Sequence, residues 1–324
     1  MKLRKTYELE VNCDRSETVR YSFTDIPIGF FKGRYSAYPN CSVPAHWHED
    51  IELIVPSEGE AVYNINGKLV KVAEGEGLLV NSRRIHSSYT EHLHDCYYNI
   101  LIFHPMVLCI SKETEQQVVQ PIIGSSFDYI LLQRGTQWHE NILRWFALIR
   151  ERHVDKHMPK EFSPMEFSVL KENEDKSEKP AIVGLVNLIW SEIAGNITPD
   201  EAPHAECNQL TSVKAMISFI DKHYAEKLAL EDIAAAGFVS KRTCGNLFER
   251  FLFTSPIRFL NEYRLKRSVE LLKNTDMTIT EIALACGFSG ASYYAETFRR
   301  ETGKSPSEYR SNAAPPLTGE NAVR

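Results

Sequence analysis

The sequence predicts a multidomain α+β protein. An N-terminal β-barrel carries packing helices, and a C-terminal all-α domain holds two helix-turn-helix motifs. Three observations predict this. Short alternating apolar runs fill residues 20–103, the apolar period lengthens to that of helices after Pro121, and one spacing of aromatic and Ser-Pro residues occurs twice in the last hundred positions. A length of 324 residues exceeds one ordinary domain, and 43% hydrophobic with 25% charged residues is a globular composition, which excludes disordered and collagenous classes.

Taken in order, the runs Gly29–Tyr35, Ile51–Val55, Ala61–Ile65, Lys68–Val72, Leu78–Val80 and Tyr97–Phe103 read as strands. Asn66-Gly67 and Glu74-Gly75 stand between them as turns, and the strands make a barrel over 1–130. The start, MKLRKTYELEVNCD, has no following apolar run, and Tyr97–Ile110 is broken by Asn99, His104 and Pro105. Neither a signal peptide nor a membrane span is expected, and the protein is expected in the cytoplasm. Seven scattered cysteines without a C-x-x-C pair argue against a disulfide framework and a structural zinc site. Trp138, Ile142, Trp145, Phe146 and Ile149 form one helical stripe and Ile182–Ile193 another, so 131–195 is expected to pack on the barrel and to dimerise. Residues 196–208, polar with two prolines, read as a linker; 209–312 is helical in pattern, and 313–324 reads as a disordered tail. The net charge of −6 is unevenly spread: 209–312 carries 15 Lys+Arg against 12 Asp+Glu, and the rest 22 against 31. A weakly basic unit thus follows an acidic one, and it is the local balance that meets phosphate.

Within the helical part, Phe248 is followed by Ser255-Pro256 and Phe259, and Phe298 by Ser305-Pro306 and Tyr309, at identical spacing. A short helix and turn precede each copy: Ile233-Ala234 before Gly237-Phe238, and Ile282-Ala283 before Cys286-Gly287-Phe288. This is the pattern of a positioning helix, a tight turn in which Gly287 adopts positive φ, and a recognition helix. In the first copy Ser240 is the expected cap. Cys244, Leu247, Phe248 and Phe251 face the core, and Lys241, Arg242, Thr243, Gly245, Asn246 and Arg250 are left for DNA. Asn246 suits adenine, and Arg242 suits guanine or phosphate. In the second copy Ser289 is the expected cap and Tyr294 and Phe298 are buried. Ala291, Ser292, Ala295 and Glu296 face base edges, and Arg299 and Arg300 face phosphates. The helix between the copies, Ile257–Leu272, carries Arg264, Lys266 and Arg267.

The string ITEIALACGFSGASYYAETFRRETGKSPSEYR (Ile279 to Arg310), with YRLKRSVELL before it, closely resembles the DNA-binding domain of the AraC/XylS family of bacterial transcription regulators. Phe238 and Phe253 stand where that family usually has glycine, and Cys244-Gly245 replaces its Leu-polar pair. Glu296 stands where many members carry a basic residue, which suggests reading of cytosine N4.

The other informative string is His46-Trp-His48-Glu-Asp-Ile-Glu52. Residues two apart on a strand share a face, so His46, His48 and Glu52 can project into one barrel interior, where His86 from another strand can join them. The spacing H-x-H-x3-E-x6-G resembles the first cupin motif. Of the second, Gly75 and His86 match, while Asn81, Arg83 and Thr90 replace the usual Pro, Gly and Asn. The resemblance implies a cupin-like effector domain, and Arg34 is also expected in the effector pocket with these four residues. Three readings of the four stay open: a metal site for Zn, Mn, Fe or Ni, a metal-free pocket for a sugar or other small ligand, and structural hydrogen bonding. The pocket without metal or other cofactor is preferred.

Together these readings imply a sequence-specific DNA-binding transcription regulator and not an enzyme. The AraC/XylS resemblance implies a homodimer on double-stranded promoter DNA, RNA polymerase as a further partner, and a small-molecule effector, often a sugar whose utilisation genes it activates. The alternative is a metal-dependent cupin enzyme or a metal-responsive sensor with a DNA-binding module.

Overall fold

The computed structural model describes residues 9–12, 14–23, 25–91, 95–154, 165–167, 177–199 and 205–313. The middle of the expected linker, 200–204, and the expected tail from 314 onward lie outside the described residues. The chain forms two compact units, Met1–Leu210 with Arg250–Leu252, and Thr211–Glu249 with Phe253–Arg324.

Among the described residues ten strands build the first unit: β1 (Ile28–Arg34), β2 (Ser42–His46), β3 (Ile51–Glu58), β4 (Glu60–Ile65), β5 (Lys68–Ala73), β6 (Gly77–Val80), β7 (His86–Tyr89), β8 (Tyr97–Phe103), β9 (Tyr129–Leu132) and β10 (Met165–Phe167). They pair antiparallel in two sheets, ordered β10-β1-β8-β3-β6-β9 and β2-β7-β4-β5. The β4–β5 hairpin closes through Asn66 (φ 50°) and Gly67 (φ 81°), the two positive dihedrals of a twist-matched two-residue turn.

Strand alternation divides the apolar residues between two cores. Ile54, Ala61, Tyr63, Ile65, Val72, Val80 and Tyr98 pack together in one cluster. Ile28, Phe30, Ile51, Leu53, Leu101 and Phe103 pack with Ile142, Phe146 and Ile149 of α1 (Gln137–Ile149) and with Val186, Ile189 and Trp190 of α2 (Glu178–Asn196). The two apolar stripes read after Pro121 are therefore the helical side of a core whose other side is the six-stranded sheet.

After the first unit's sheets and helices, seven helices follow among the described residues: α3 (Ala205–His223), α4 (Leu230–Ala236), α5 (Lys241–Leu252), α6 (Pro256–Asn274), α7 (Ile279–Ala285), α8 (Ala291–Thr302) and α9 (Pro306–Ala313). The first of these begins inside the span read as linker: Ala205 and Glu206 are good helix formers, and the absence of apolar periodicity there hid the extra turn.

The repeat in the sequence has a geometric counterpart. Ser255 and Ser305 cap α6 and α9, accepting from the Arg258 and Glu308 backbone N–H groups at 3.3 Å, and Pro256 and Pro306 follow as first helical residues. Phe248 meets Phe259 edge-on at 5.5 Å, and Phe298 meets Tyr309 edge-on at 5.5 Å. The eleven-residue offset thus lays each recognition helix against the helix that the Ser-Pro pair starts.

In the α7–α8 turn Gly287 has φ 77°, and a Cβ there would lie 2.4 Å from the Tyr224 carbonyl oxygen, so geometry and space both require glycine. The corresponding turn residue between α4 and α5 is Phe238, at φ 56° and 96% exposed. Where Gly303 ends α8 at φ 75°, Phe253 ends α5 at φ 52°.

Candidate functional site

On α5, Cys244, Leu247, Phe248 and Phe251 are buried as expected from the sequence, and Ser240 accepts from the Thr243 N–H at 3.1 Å. Lys241, Arg242, Thr243 and Asn246 are exposed on the opposite face, with Gly245 half-buried. Lys241 pairs with Glu231 at 2.7 Å. Arg250 differs: it is half-buried and donates to Gln209 Oε1 at 2.9 Å, so its guanidinium is already engaged.

On α8, Tyr294, Thr297 and Phe298 are buried, Ser292, Glu296, Arg299 and Arg300 are exposed, and Ala291 and Ala295 are half-buried. The cap differs from expectation. Gly290 occupies the N-cap position, because one residue is inserted relative to the first copy, and Ser289 lies one place too early. Arg264 is buried on α6 and donates to the Tyr224 and Glu226 carbonyls at 2.8 and 2.7 Å, fastening the α3–α4 connection.

In the barrel, β2 and β7 place His46 opposite His86, with rings 4.2 Å apart, and His48 lies 5.0 Å from His86. Glu52 Oε2 is 3.3 Å from His48 Nε2 and 3.0 Å from His86 Nε2. All four side chains are buried. The His46, His48 and His86 Nδ1 atoms lie 2.8, 3.1 and 2.9 Å from the carbonyl oxygens of Pro44, Asp50 and Arg84. A carbonyl only accepts, so each Nδ1 carries the hydrogen and each Nε2 points elsewhere.

Charge follows burial and neighbours. Burial opposes ionisation of Glu52, but hydrogen bonds and charge from His48 and His86 outweigh it and hold the carboxyl well below the usual range. Burial likewise opposes the His48 imidazolium, yet the Glu52 hydrogen bond and charge, with Glu17 and Asp50, raise His48 to about 9. Burial, with the His86 and His48 charges, pushes His46 well below its ordinary value.

A cavity of about 40 Å³ adjoins this group, lined by His46, Glu52, His86 and Glu17 and by the Tyr35, Tyr63 and Tyr98 rings. Arg34 does not line it. On β1 it shares parity with Ile28 and Phe30, which pack against the helices, whereas Phe31 faces the cavity. Glu17, which sequence reasoning missed, reaches to 3.5 Å from His46 Nε2, both side chains being 6% exposed. It sits on a short stretch bridged to Trp47, with no alternation or motif to mark it.

A barrel with a polar buried centre and a helical unit with two helix-turn-helix motifs define a DNA-binding regulator with a ligand-binding domain. The AraC-like ligand binding domain family matches residues 31–151, and a helix-turn-helix domain family matches residues 233–312. The chain is 27% identical to the uncharacterized HTH-type transcriptional regulator YdeC of Bacillus subtilis (strain 168), over 91% of this chain and 95% of the relative. It is 24% identical to the HTH-type transcriptional activator RhaS of Klebsiella pneumoniae (strain 342), over 84% and 89%. An AraC-type DNA-binding domain structure from Chromobacterium violaceum is 34% identical over 32% of this chain and 94% of that one, with a TM-score of 0.31. The chain belongs to the AraC family of transcription regulators. Among the described residues no helix is long and apolar enough to cross a membrane.

Proposed function

We propose that this regulator grips promoter DNA with α5 and α8 in successive major-groove segments, and that a small ligand in the barrel changes how a homodimer joined through 131–195 presents these helices. The observation that carries the reading is the matched division of α5 and α8, each burying one apolar stripe in its own unit while a polar face with arginine stays in water. In this reading Arg242, Arg299 and Arg300 contact phosphates or guanine, while Thr243, Asn246, Ser292 and Glu296 meet bases. Lys241 reaches phosphate by leaving Glu231, and Arg250 by leaving Gln209. Ala291 and Ala295 let the backbone approach the groove.

Relatives named transcriptional activators support positive control, with RNA polymerase as a further partner. Nothing in this scheme requires turnover. A sugar effector would need the barrel to open, since pockets for such molecules measure roughly 300 Å³ or more and this cavity measures about 40 Å³.

The test is binding of the full chain to its own upstream DNA across a salt series. The expected result is a steep fall of log K with log salt and protection of two groove segments about 10 bp apart. A flat salt response, or protection of one segment, refutes two-helix binding.

A further inference from the structure

We infer that the helical unit has a ligand site of its own: a groove between α6 and α8 that takes a small organic anion with an apolar body. The site is separate from the barrel. Only its effect on DNA rests on the role proposed above for Arg300.

The groove lies wholly in the second unit and encloses about 570 Å³. That is the size of a small-molecule site, roughly 300–1,000 Å³, and far more than a lone ion fills. Leu265 of α6 and Thr297 of α8, both buried, form its floor, and Ile257, 40% exposed, adds an apolar wall. Asn261, also in the lining, donates through Nδ2 to the Tyr293 hydroxyl at 3.1 Å and so ties α6 to α8.

What the lining leaves unmet is mostly donor. The Thr297 hydroxyl, on a residue 1% exposed, has no hydrogen-bond partner, and a buried O–H of this kind is costly to leave so. Arg258 stands on the α6 rim and Arg300 on the α8 rim. Each engages a carboxylate of its own helix through Nε alone, Glu262 at 3.0 Å and Glu301 at 3.2 Å, so the terminal nitrogens of both guanidiniums keep hydrogens to donate. Ser255 already accepts from the Arg258 backbone N–H, which leaves its O–H as a further donor.

The partner that answers such a set is an acceptor without hydrogens, a carboxylate or phosphate-ester oxygen, which guanidinium binds with charge-assisted bonds. Glu262 and Glu301 are each matched by an arginine, so the rims carry no net charge against an anion. An inorganic ion leaves Ile257 and Leu265 uncovered and most of the groove empty, which is why the ligand carries an apolar body. Arg300 is also one of the arginines assigned to DNA phosphates. One guanidinium cannot face both partners, so the anion lowers DNA affinity, and DNA lowers affinity for the anion by the same factor.

The experiment uses the full chain with labelled Ile and Leu methyl groups, followed by NMR during titration with phenyl phosphate, benzoate and the uncharged benzyl alcohol. The anions are expected to shift the Ile257 and Leu265 methyl signals saturably with a Kd of about 1 mM or below, the tighter one naming the head group. Ile54 and Ile100 of the barrel stay unmoved. Benzyl alcohol binds at least ~10-fold more weakly, and Arg258→Gln and Arg300→Gln each weaken the anions about 10-fold. Thr297→Val also weakens them, yet leaves the melting temperature unchanged or raised, because a methyl replaces a hydroxyl without a partner; a merely structural threonine gives the opposite pattern. Lys304→Gln, at an exposed position outside the groove, changes nothing. No saturable shift at Ile257 and Leu265 with either anion up to about 10 mM overturns the proposal, as does equal binding of benzyl alcohol or undiminished binding by a folded chain carrying both arginine substitutions. Promoter binding is then measured at constant ionic strength with and without phenyl phosphate. Weaker DNA binding by wild type, an effect absent from Arg300→Gln, supports the competition. Methyl shifts with DNA binding unaffected uphold the site and refute the role of Arg300 on phosphate, and methyl shifts without any DNA binding uphold the site and refute the regulator.

Discussion

Replacing Phe238 by glycine is expected to stabilise the helical unit, although it deletes the larger part of an aromatic residue. At φ 56° an L-residue carries a cost of about 1–2 kcal/mol, and at 96% exposure the ring returns almost no burial energy to offset it. Glycine removes the strain but brings about 0.5–1 kcal/mol of extra chain entropy in the unfolded state, so the net gain is about 0.5–1 kcal/mol. For a unit of this size that is roughly 2–8 °C in melting temperature, read by calorimetry of the full chain as an upward shift of the helical unit's transition. Phe253→Gly is the internal control. At φ 52° it relieves the same strain, but with 52% exposure its ring buries about half its surface, roughly 1 kcal/mol, and the two effects cancel. Gly287→Ala runs the argument backwards: positive φ and a Cβ 2.4 Å from the Tyr224 oxygen predict a loss of at least about 2 kcal/mol. A lowered melting temperature for Phe238→Gly, or equal gains for both phenylalanines, would refute the reasoning.

Two further outcomes are expected. Arg264→Ala removes two charge-assisted hydrogen bonds to carbonyls from a buried position, and urea denaturation should read a loss of about 2–4 kcal/mol; under about 0.5 kcal/mol would mean that the α3–α4 connection does not depend on it. Glu296→Ala should relax preference at one base pair by ~1–3 kcal/mol, whereas Arg299→Ala should weaken all sequences alike and lower the salt slope by about one, both measured by competition with single-base variants. Equal losses on every sequence for both variants would mean that Glu296 reads no base.

What was legible in the sequence depended on how far each signal reached. The Phe and Ser-Pro repeat was readable because cap, first-turn proline and edge-on ring contact all lie within eleven residues, so local geometry fixes the spacing. The convergence of His46, His48 and Glu52 was expected from alternation along one strand, but His46 ends β2, His48 lies in the connection after it and Glu52 is on β3, so the three meet across the two sheets, with His86 coming from β7. Arg34 failed on the same rule because its own parity was not traced back to Phe30. Glu17 could not be found this way, lying on a short bridged stretch without period. Ser289 misled because a one-residue insertion is invisible when each copy is read from its own cap, and nothing local marked Arg264 as buried, since the carbonyls it meets lie some forty residues away.

Each central strand of the six-stranded sheet is a single plank with occupants on both sides. On β3, Glu52 and Ile54 look into the cavity, and Ile51 and Leu53 between them lie under α1 and α2; on β8, Tyr98, Ile100 and Ile102 alternate likewise with Leu101 and Phe103. Neighbouring residues share a peptide plane, so the backbone at Glu52 cannot shift without carrying that at Leu53, and close packing leaves Ile142 and Trp190 little slack in which to absorb such a shift. A backbone displacement of β3 or β8 at the cavity is therefore also a displacement under α1 and α2, one strand-thickness away, without a relay of side chains.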